Sequence, residues 1–280
     1  MAKQKTFTPA QIVLVVVCFF FLILTLFPIY VMLVKSFKSP MQEVMNPFGI
    51  SFPFRWANYA EAWGYIDYTL LNTFVITIAI TALVLVLSSM ASFGFTRFQM
   101  PGKNVLFLMF LAILMIPGVL TLIPQYKLVA LDYGLINTRW GVILPTVAGA
   151  LPMSIFLIKT FFEGMPNDVF EAATIDGASS LRLYFSIAVQ LSLPILATQG
   201  LMTFMSAYND YLWPLLILRD EGVKTTAIVL KDLTTTLFNE TNSMSVAIAG
   251  YVIACLPMFI IFAFCSKQFV KGLTSGAFKM

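Results

Sequence analysis

The stretch from Ile12 to Val34, IVLVVVCFFFLILTLFPIYVMLV, contains no charged residue and decides the class of this fold. Roughly 20 apolar residues cross a hydrocarbon core about 30 Å thick, so this stretch is long enough to span a bilayer as a helix. A secretory signal peptide has a shorter apolar core of about 7–15 residues and a small-residue cleavage site. Since this stretch has neither, we predict an uncleaved membrane span.

Five further stretches of the chain share this apolar character. Hydrophobic residues make up 59% of the sequence and charged residues 11%, and the mean hydropathy is +0.89. Soluble domains contain about 25% charged residues. We therefore predict an all-α integral membrane protein that forms a single domain over residues 1–280. Its six spans are expected at about residues 12–34, 70–95, 105–126, 140–158, 193–218 and 244–266.

The distribution of Lys and Arg bears on orientation. An even number of spans places both termini on the same side of the membrane. The short connection from Arg97 to Lys103 and both tails carry bases without acids, whereas the loops on the opposite side pair bases with acids. Because cytoplasmic segments carry an excess of Lys and Arg, this pattern predicts that both termini are cytoplasmic.

The composition excludes several classes of site. The chain has no histidine, which rules out His-ligated metals and His-based catalytic triads. Its three cysteines all lie in apolar spans, and their spacing fits neither a disulfide framework nor a metal site. The net charge of +4 is spread along the chain, which gives no support for nucleic-acid binding. We expect no metal and no cofactor in this chain.

Residues 162–191 form a polar segment with a helical pattern between the predicted fourth and fifth spans. Pro166 suits a first helical position, and Asp168 and Glu171 complement the dipole near a helix N-terminus. Gly177 predicts the end of this helix, since glycine tolerates the left-handed conformation. Ser179 or the serine after it is expected to cap a second helix. The alternative reading is an amphipathic helix pair that lies on the membrane surface.

Part of this segment carries a family resemblance. Residues 171–178, EAATIDGA, resemble the EAA loop of permease subunits in binding-protein-dependent ABC importers. Similar landmarks follow one another along nearly the whole chain, and they are typical of the sugar-importer branch with permeases of the maltose-transporter type. These landmarks are NTFVITIAI at Asn72, TRFQMPGK at Thr96, IPQY at Ile123, YGLINTRWGVILP at Tyr133, YNDYLWPL at Tyr208 and FVKGLTSGAFK at Phe269.

The resemblance implies a transport subunit without enzymatic activity, located in the bacterial cytoplasmic (inner) membrane as a multi-pass protein. Residues 162–191 would then contain a cytoplasmic coupling helix that docks into a cytosolic ATPase, and residues 267–280 would be a C-terminal tail that contacts the ATPase pair. ATP and Mg²⁺ would be bound by two ATPase subunits, since this chain has no GxxxxGK[ST] phosphate loop. The implied coupling residues are Glu171, Ala172, Ala173, Asp176, Gly177, Ala178 and Ser179.

The implied machine has further partners. They are a second, homologous permease subunit that completes a heterodimer, an extracytoplasmic solute-binding protein, and a carbohydrate cargo, expected to be an oligosaccharide. The outer connection at residues 219–242 is a candidate contact for the binding protein. The sequence departs from the family pattern at Gln190, where a proline is usual, and at Glu163, where a base is common.

Asp210 is the ionisable residue that lies deepest within a predicted span. An acid at membrane depth costs about 2.5–3.5 kcal/mol on insertion scales and usually faces a cavity or a partner. Together with Tyr208 and Asn209 it is a candidate for the substrate path, because rings, amides and carboxylates suit sugars. The alternative is that Asn209 and Asp210 satisfy backbone groups freed near Pro214 or pair with a companion subunit. Weaker path candidates, all at helix ends, are Asn72, Gln125 and Tyr126.

Two other functions compete with carbohydrate import. The same machine could carry a polyol or a glycerol-phosphate-type solute, although an anionic cargo favours Lys or Arg along the path and spans two to five have none centrally. A different class is an ion-coupled secondary transporter. Such transporters have membrane-embedded ion sites and repeated halves, and only Asp210 fits that description.

Overall fold

The computed structural model describes residues 9–241 and 244–277, with side chains for residues 9–239 and 244–266. Every regular element in these ranges is helical. In chain order the α-helices are α1 (Pro9–Ser36), α2 (Pro40–Met45), α3 (Ala57–Arg97), α4 (Lys103–Ile113), α5 (Gly118–Tyr126), α6 (Arg139–Glu163), α7 (Asn167–Ile175), α8 (Ser180–Leu183), α9 (Val189–Leu191), α10 (Leu193–Tyr208), α11 (Leu212–Ile217), α12 (Thr226–Thr241) and α13 (Ser245–Ala277). Two π-helical segments, Lys127–Asp132 and Tyr184–Ala188, and a short 3-10 helix, Glu221–Val223, lie between them.

Four of these helices, α1, α3, α6 and α13, are long and apolar enough to cross a membrane. Two bent pairs raise the number to six if each pair counts as one span, which agrees with the predicted six-span, all-α fold. One pair joins α4 to residues 118–132 with a bend of 90°, and the other joins residues 180–191 to α10 with a bend of 77°. The residues 278–280 of the predicted tail lie outside the described part of the chain.

Proline explains the bend in the third predicted span. The run at residues 105–126 was expected to be one helix, but α4 ends at Ile113 and Pro117 precedes α5. Because proline has no backbone N–H and its ring clashes with the preceding turn, a helix cannot continue through it without losing a hydrogen bond. The chain turns at this point instead of crossing straight.

The fifth predicted span, residues 193–218, also differs from a single helix. The helix α10 ends at Tyr208, three residues break the regular structure, and α11 follows. At the other end, Ser192 separates α9 from α10, and Pro194 occupies the first turn of α10. A proline in the first turn is tolerated because the first four N–H groups of a helix have no internal partner. The family pattern has a proline where this chain has Gln190. In this structure Pro194 lies nearby, at the start of α10.

The structure divides into two compact units, and the smaller contains residues 1–66 and 230–255. In this unit α2 begins with a capping box, since Ser39 and Gln42 exchange side-chain and backbone hydrogen bonds. Glu43 on α2 accepts hydrogen bonds from the Met244 N–H at 3.2 Å and from the Ser245 hydroxyl at 3.1 Å. These bonds tie α2 to the start of α13 within the unit.

The larger unit contains residues 67–229 and 256–280 and has two apolar clusters. The first cluster packs α3 against α6, with Trp213 donating from its indole N–H to the carbonyl of Gly141 at 3.1 Å. A side chain at Gly141 would lie 2.4 Å from the carbonyl oxygen of Leu135, so only glycine permits this close approach. The second cluster lies at the Arg97 end of α3 and supports the polar segment. Its buried members are Phe93, Ile158, Phe162, Met165, Phe170, Tyr184 and Ala188.

Candidate functional site

The polar segment folds as helix, glycine turn and helix, as its sequence predicts. The helix α7 begins at Asn167, one residue after Pro166, so Pro166 is the residue before the helix and not its first residue. Asp168 lies in the first turn of α7. Phe170 is the buried residue of α7 and joins the second apolar cluster, where Phe162, Met165 and Tyr184 surround it. This single buried ring holds α7 on the end of the bundle.

The turn after α7 depends on Gly177. Its φ is +77°, and the Ala178 N–H reaches back to the carbonyl of Ala173 at 2.9 Å. A Cβ added at Gly177 would meet no atom within 4 Å, so the backbone conformation alone requires glycine here. Ser179 then caps α8, since its hydroxyl accepts a hydrogen bond from the Arg182 N–H at 3.4 Å. The predicted stop and cap are both present.

Arg97, the last residue of α3, anchors α7 through contacts with Phe170 and Asn167. Its guanidinium carbon lies 3.7 Å from the centroid of the Phe170 ring, and one of its nitrogens donates to the Asn167 side chain at 2.5 Å. A second nitrogen donates to the carbonyl of Phe162 at 3.4 Å. Burial lowers the pKa of Arg97 from its ordinary value. The sequence reading did not select Arg97, although it lies in the TRF landmark.

The outward side of α7 is exposed and borders a groove. Ile175 is 85% exposed, which is unusual for a large apolar side chain in a polar segment. The groove has a volume of about 490 Å³ and is lined by Arg97, Asn167, Phe170, Glu171, Thr174, Ile175 and Leu183. The other predicted coupling residues are exposed or half-buried in the same segment; they are Ala172, Ala173, Asp176, Ala178 and Ser179. The segment therefore presents an acid and an apolar side chain side by side.

Glu163, the acid that departs from the family pattern, is paired within its own helix. Its carboxylate lies 2.5 Å from the ammonium of Lys159. That ammonium also lies 4.2 Å from the centroid of the Phe107 ring. Because Lys159 balances the charge of Glu163, this acid adds less negative potential to the segment than the sequence alone suggests.

Asn72, a predicted path residue, is buried in a hydrogen-bonded junction. Its amide nitrogen donates to the carbonyl of Gly222 at 2.9 Å, and its amide oxygen accepts from Arg139 at 2.6 Å. The next residue of α3 continues the junction, since the Thr73 hydroxyl accepts a hydrogen bond from the Thr226 N–H at 2.9 Å. Asn72 thus connects α3, α6 and the loop before α12, and these bonds occupy both ends of its side chain.

Tyr126 and Gln125 lie at the end of α5 and are half-buried. The Tyr126 hydroxyl accepts a hydrogen bond from Arg219 at 2.6 Å. Nearby, Asn137 adopts a positive φ of 57°, and its side-chain oxygen accepts from the N–H groups of Arg219 at 2.6 Å and Asp220 at 3.1 Å. The sequence pattern did not single out Asn137, although this residue lies within the YGLINTRWGVILP landmark.

Asp210 lies in the break between α10 and α11, where free N–H groups need acceptors. Its carboxylate oxygen accepts from the Trp213 N–H at 3.5 Å. The Asn209 amide nitrogen donates to the carbonyl of Met205 at 2.8 Å. Tyr208 is buried in a ring stack, with its centroid 5.8 Å from that of Phe204 and 5.9 Å from that of Phe74. These contacts match the alternative in which the two polar residues satisfy backbone groups.

None of the six predicted path residues lines the groove beside α7 or the cavity between α3, α6 and α10. This second cavity is mostly apolar, and its lining includes the polar residues Ser154, Gln199 and Thr203. Gln199 was not singled out, because an uncharged amide in an apolar run breaks neither the hydropathy nor the charge pattern. Among the described residues no group of three or more acids and cysteines is placed to hold a metal ion.

Comparison with known proteins places these features in a family. Residues 85–275, which include the polar segment and its anchor Arg97, match the family described as "Binding-protein-dependent transport system inner membrane component". The chain belongs to this family. The permease is accordingly an inner-membrane transport subunit that works with a solute-binding protein, and the resemblance stated from its motifs is confirmed.

Relatives with assigned cargoes match the permease over nearly its whole length. It is 30% identical over 269 residues to the arabinooligosaccharides transport system permease protein of Bacillus subtilis, with 92% of each chain covered. It is 30% identical over 259 residues to the melibiose/raffinose/stachyose import permease protein of the same organism, covering 90% of this chain and 91% of that one. It is 29% identical over 263 residues to an sn-glycerol-3-phosphate transport system permease protein of Yersinia pestis, with 91% and 92% covered.

A solved structure shares the fold of the permease. It belongs to a bacterial ABC transporter involved in the import of the acidic polysaccharide alginate, and the two chains superpose with a TM-score of 0.82 at 21% identity. The match covers 95% of this chain and 100% of that chain. The relatives are permease subunits of ABC transporters and not enzymes, so the ATPase activity of such a machine lies in partner subunits.

Proposed function

We propose that this permease forms one half of the membrane channel of an ABC importer for a carbohydrate, most simply an oligosaccharide. The observation that carries the proposal is the α7–Gly177–α8 segment, which is held rigidly by Arg97 and Phe170 while Glu171 and Ile175 remain open to a partner. Two relatives with long coverage are named for oligosaccharide or raffinose-type sugar transport, which supports this cargo class.

The segment suits docking to a cytosolic ATPase. Glu171 would meet a basic group in a cleft of that subunit, and Ile175 would fill an apolar part of the same cleft. Closure of the ATPase pair would then move α7 as a rigid body together with α3 and α6, because Arg97 and the second apolar cluster connect them. ATP and Mg²⁺ would remain in the ATPase subunits.

The arrangement of partners follows from this role. The second half of the channel would be a homologous but different permease, and both termini of this chain would lie in the cytoplasm. The connection at residues 219–242, held by Asn72 and Asn137, would face the binding protein outside. The backbone of residues 267–277 continues α13 as a helix, and we propose that this tail contacts the ATPase pair.

A glycerol-phosphate-type cargo is the second candidate, and the Yersinia pestis relative favours it. The cavity between α3, α6 and α10 favours a neutral cargo, since no charged residue lines it. The ion-coupled alternative loses its support, because a binding-protein-dependent family uses delivered solute and ATP-hydrolysing partners.

The decisive experiment purifies the tagged chain from its native membrane and identifies what comes with it. Recovery of an ATPase and a second permease is expected, whereas a chain that carries solute alone and without ATP would overturn the proposal. In the complete transporter, Glu171→Ala should reduce binding-protein-stimulated ATP hydrolysis at least fivefold. The matched control is Asp168→Ala, an acid on the same helix that does not line the groove, and its activity should stay within twofold.

A further inference from the structure

The α2 segment, residues 37–56, follows α1 and exposes most of its large apolar side chains. Val44, Met45, Phe52 and Trp56 are between 66% and 74% exposed, and Phe48 is 58% exposed. Soluble proteins rarely expose so continuous an apolar surface to water. The α2 segment therefore needs a cover other than water.

The polar side chains of the same segment point inward. Lys38 is 1% exposed, and its ammonium donates to the carbonyl of Asn46. The side chain of Glu43 is 12% exposed and lies 3.5 Å from the ammonium of Lys35. Polar groups inside and apolar groups outside are the reverse of the usual arrangement at a surface that faces water. This arrangement fits a surface that faces lipid.

The α2 segment starts at the end of a membrane span. The apolar run of α1 from Ile12 to Val34 is about 33 Å long as a helix, which matches a hydrocarbon core of about 30 Å. None of the residues in the apolar window of α1 is buried. Val34 thus lies near the boundary of the hydrocarbon core, and the segment begins three residues later in the headgroup region.

From there the segment folds back along α1. The carbonyl of Phe48 accepts a hydrogen bond from the Tyr30 hydroxyl at 3.2 Å. The ring centroids of Phe48 and Phe27 lie 6.3 Å apart. Because Phe27 precedes Val34 by seven residues, it lies roughly 10 Å inside the boundary of the hydrocarbon core. Amphipathic segments at a membrane surface bury their apolar side by about 5–10 Å, and Phe48 reaches this depth.

Internal hydrogen bonds make this depth affordable for an irregular backbone. Non-helical backbone at membrane depth requires partners for its N–H and carbonyl groups. The Asn46 side-chain oxygen accepts from the Gly49 N–H at 2.9 Å, and the Gln42 amide nitrogen donates to the carbonyl of Pro53 at 3.3 Å. Pro47 and Pro53 have no N–H to satisfy. These features lower the cost of placing the segment beside lipid.

From this arrangement we propose that the α2 segment is a re-entrant lipid anchor. Phe48, Ile50 and Phe52 contact acyl chains, while Arg55 and Trp56, both exposed, lie at the level of the headgroups. With cytoplasmic termini, as proposed above, the anchor lies in the outer leaflet. The choice of leaflet rests on that proposed orientation, whereas the lipid contact is independent of it and of the cargo.

The anchor holds a joint between helices of the smaller unit. Ser36, the last residue of α1, is the buried residue of that helix. Its carbonyl accepts from the Asn58 amide nitrogen at 2.9 Å, and its hydroxyl lies 2.7 Å from the Tyr59 hydroxyl. Glu43 joins the same segment to Ser245 at the start of α13. Lipid bound along the α2 segment would therefore fix the height of this joint in the bilayer.

Two proteins compete with lipid as the cover of this surface. A water-soluble binding protein cannot follow Phe48 into the hydrocarbon region. The second permease subunit could cover the surface at that depth, and its presence there would contradict a lipid anchor. The inward polar groups and the position directly beside the open surface of α1 favour lipid.

The first test measures what surrounds the segment. The complete transporter, with the three cysteines of this chain replaced by alanine, is reconstituted into phosphatidylethanolamine–phosphatidylglycerol vesicles. A nitroxide is attached at Val44→Cys or Phe52→Cys. Phe20→Cys on α1 is the reference for lipid, and Thr236→Cys, exposed on α12 of the same unit, is the reference for water.

The measured quantity is the ratio of nitroxide collision rates with molecular oxygen and with a water-soluble Ni(II) chelate. We expect this ratio to be at least threefold higher at Val44 and Phe52 than at Thr236, in the direction of Phe20, because oxygen concentrates in the bilayer. A ratio equal to that at Thr236 would show a surface in water. Low collision rates with both reagents would show a cover of protein, and either result would overturn the lipid anchor.

The second test measures whether the contact with α1 sets the depth. Phe48→Ala removes the ring that meets Phe27, and the nitroxide at Phe52→Cys reports the effect. We expect the collision ratio to fall at least twofold. Phe238→Ala, at an exposed phenylalanine on α12, is the matched control and should leave the ratio unchanged. An unchanged ratio in Phe48→Ala would overturn the role of this contact.

A third measurement separates the anchor from the proposed orientation. A charged, membrane-impermeant methanethiosulfonate added to intact cells should label Thr236→Cys. Labelling in inverted vesicles alone would overturn the cytoplasmic placement of the termini and move the anchor to the inner leaflet. A high collision ratio at Val44 and Phe52 would still support the lipid contact in that case.

Discussion

The guanidinium of Arg97 lies 3.7 Å from the centroid of the Phe170 ring, which joins the end of the longest helix, α3, to the exposed segment at α7. A cation over a ring is favourable by about 0.5–1 kcal/mol when exposed and about 2 kcal/mol when desolvated. Arg97 is half-buried, so the energy of this pair lies between these two limits. Force applied to α7 therefore reaches α3 through Arg97 as well as through the second apolar cluster, which contains Phe93 of α3 and Phe170 of α7.

Arg97→Ala should weaken the coupling between ATP hydrolysis and uptake. Loss of the ring contact and of the bond to Asn167 removes about 1–2 kcal/mol of anchoring, which corresponds to a factor of about 5–30 in the population of docked α7. Uptake per ATP hydrolysed by the reconstituted transporter measures this effect. Arg97→Lys should be intermediate, since it keeps the charge and loses the planar fork.

The control for Arg97 is Lys103→Ala. Lys103 is a neighbouring base whose ammonium donates to the Phe98 carbonyl at 3.3 Å, and it does not line the groove beside α7. Its removal should change the coupling ratio by less than twofold. Equal effects of the two substitutions would mean that general positive charge, and not the Phe170 contact, matters at this end of α3.

Gly177→Ala should impair coupling through the backbone alone. An alanine at φ +77° costs about 1–2 kcal/mol, and the open space around Gly177 offers no compensating contact. Gly177→Asn should be milder because asparagine tolerates the left-handed region. Binding-protein-stimulated ATP hydrolysis is the measurement. The control is Gly149→Ala, which has equally open surroundings without a positive φ and should be neutral.

Asp210→Asn and Asp210→Ala together distinguish the two roles of this residue. If its carboxylate serves as an acceptor for the Trp213 N–H, asparagine keeps an oxygen acceptor there and uptake stays within twofold. Alanine leaves the N–H unpaired and should cost about 1 kcal/mol, which lowers the thermal midpoint in detergent. Loss of uptake in Asp210→Asn at unchanged thermal stability would instead assign the charge to the substrate path.

Asn137→Ala should destabilise the junction before α12. Two backbone N–H groups, of Arg219 and Asp220, lose their acceptor, and alanine must adopt a φ of 57°. The combined cost is about 3 kcal/mol. Asn137→Gly removes the acceptor without the backbone strain and should show roughly half the loss in thermal midpoint. Similar midpoints for all three proteins would indicate that the junction bonds contribute nothing to stability.

Much of the site's local geometry follows from its sequence. Asp168, Gly177 and Ser179 act on backbone groups that lie within a few residues in the chain. The local sequence therefore encodes the helix start, the turn and the cap. Arg97 could not be assigned in the same way. It lies 70 residues from its partner Asn167, and nothing local in the sequence indicates that contact.

For the predicted path residues, the sequence pattern does not distinguish between two roles. Asn72, Tyr126 and Asp210 are polar residues near helix ends, a pattern that substrate contacts and structural junctions share. Only their partners distinguish the two, and in the structure those partners are the Gly222 carbonyl, Arg219 and the Trp213 N–H. Gln199 is a similar case, because its hydrogen bond to Ser154 joins residues that lie 45 positions apart in the chain.

The sequence by itself determined the all-α membrane class, the apolar runs and the helix–glycine–helix segment, because hydropathy and backbone preference are properties of neighbouring residues. The tertiary structure decided where α4 meets α5 at a 90° bend, which side chains close the junction before α12, and which groups share the cavity between α3, α6 and α10. Those relationships join residues far apart in the chain. Their energies depend on distance and burial in the folded state, which no local pattern encodes.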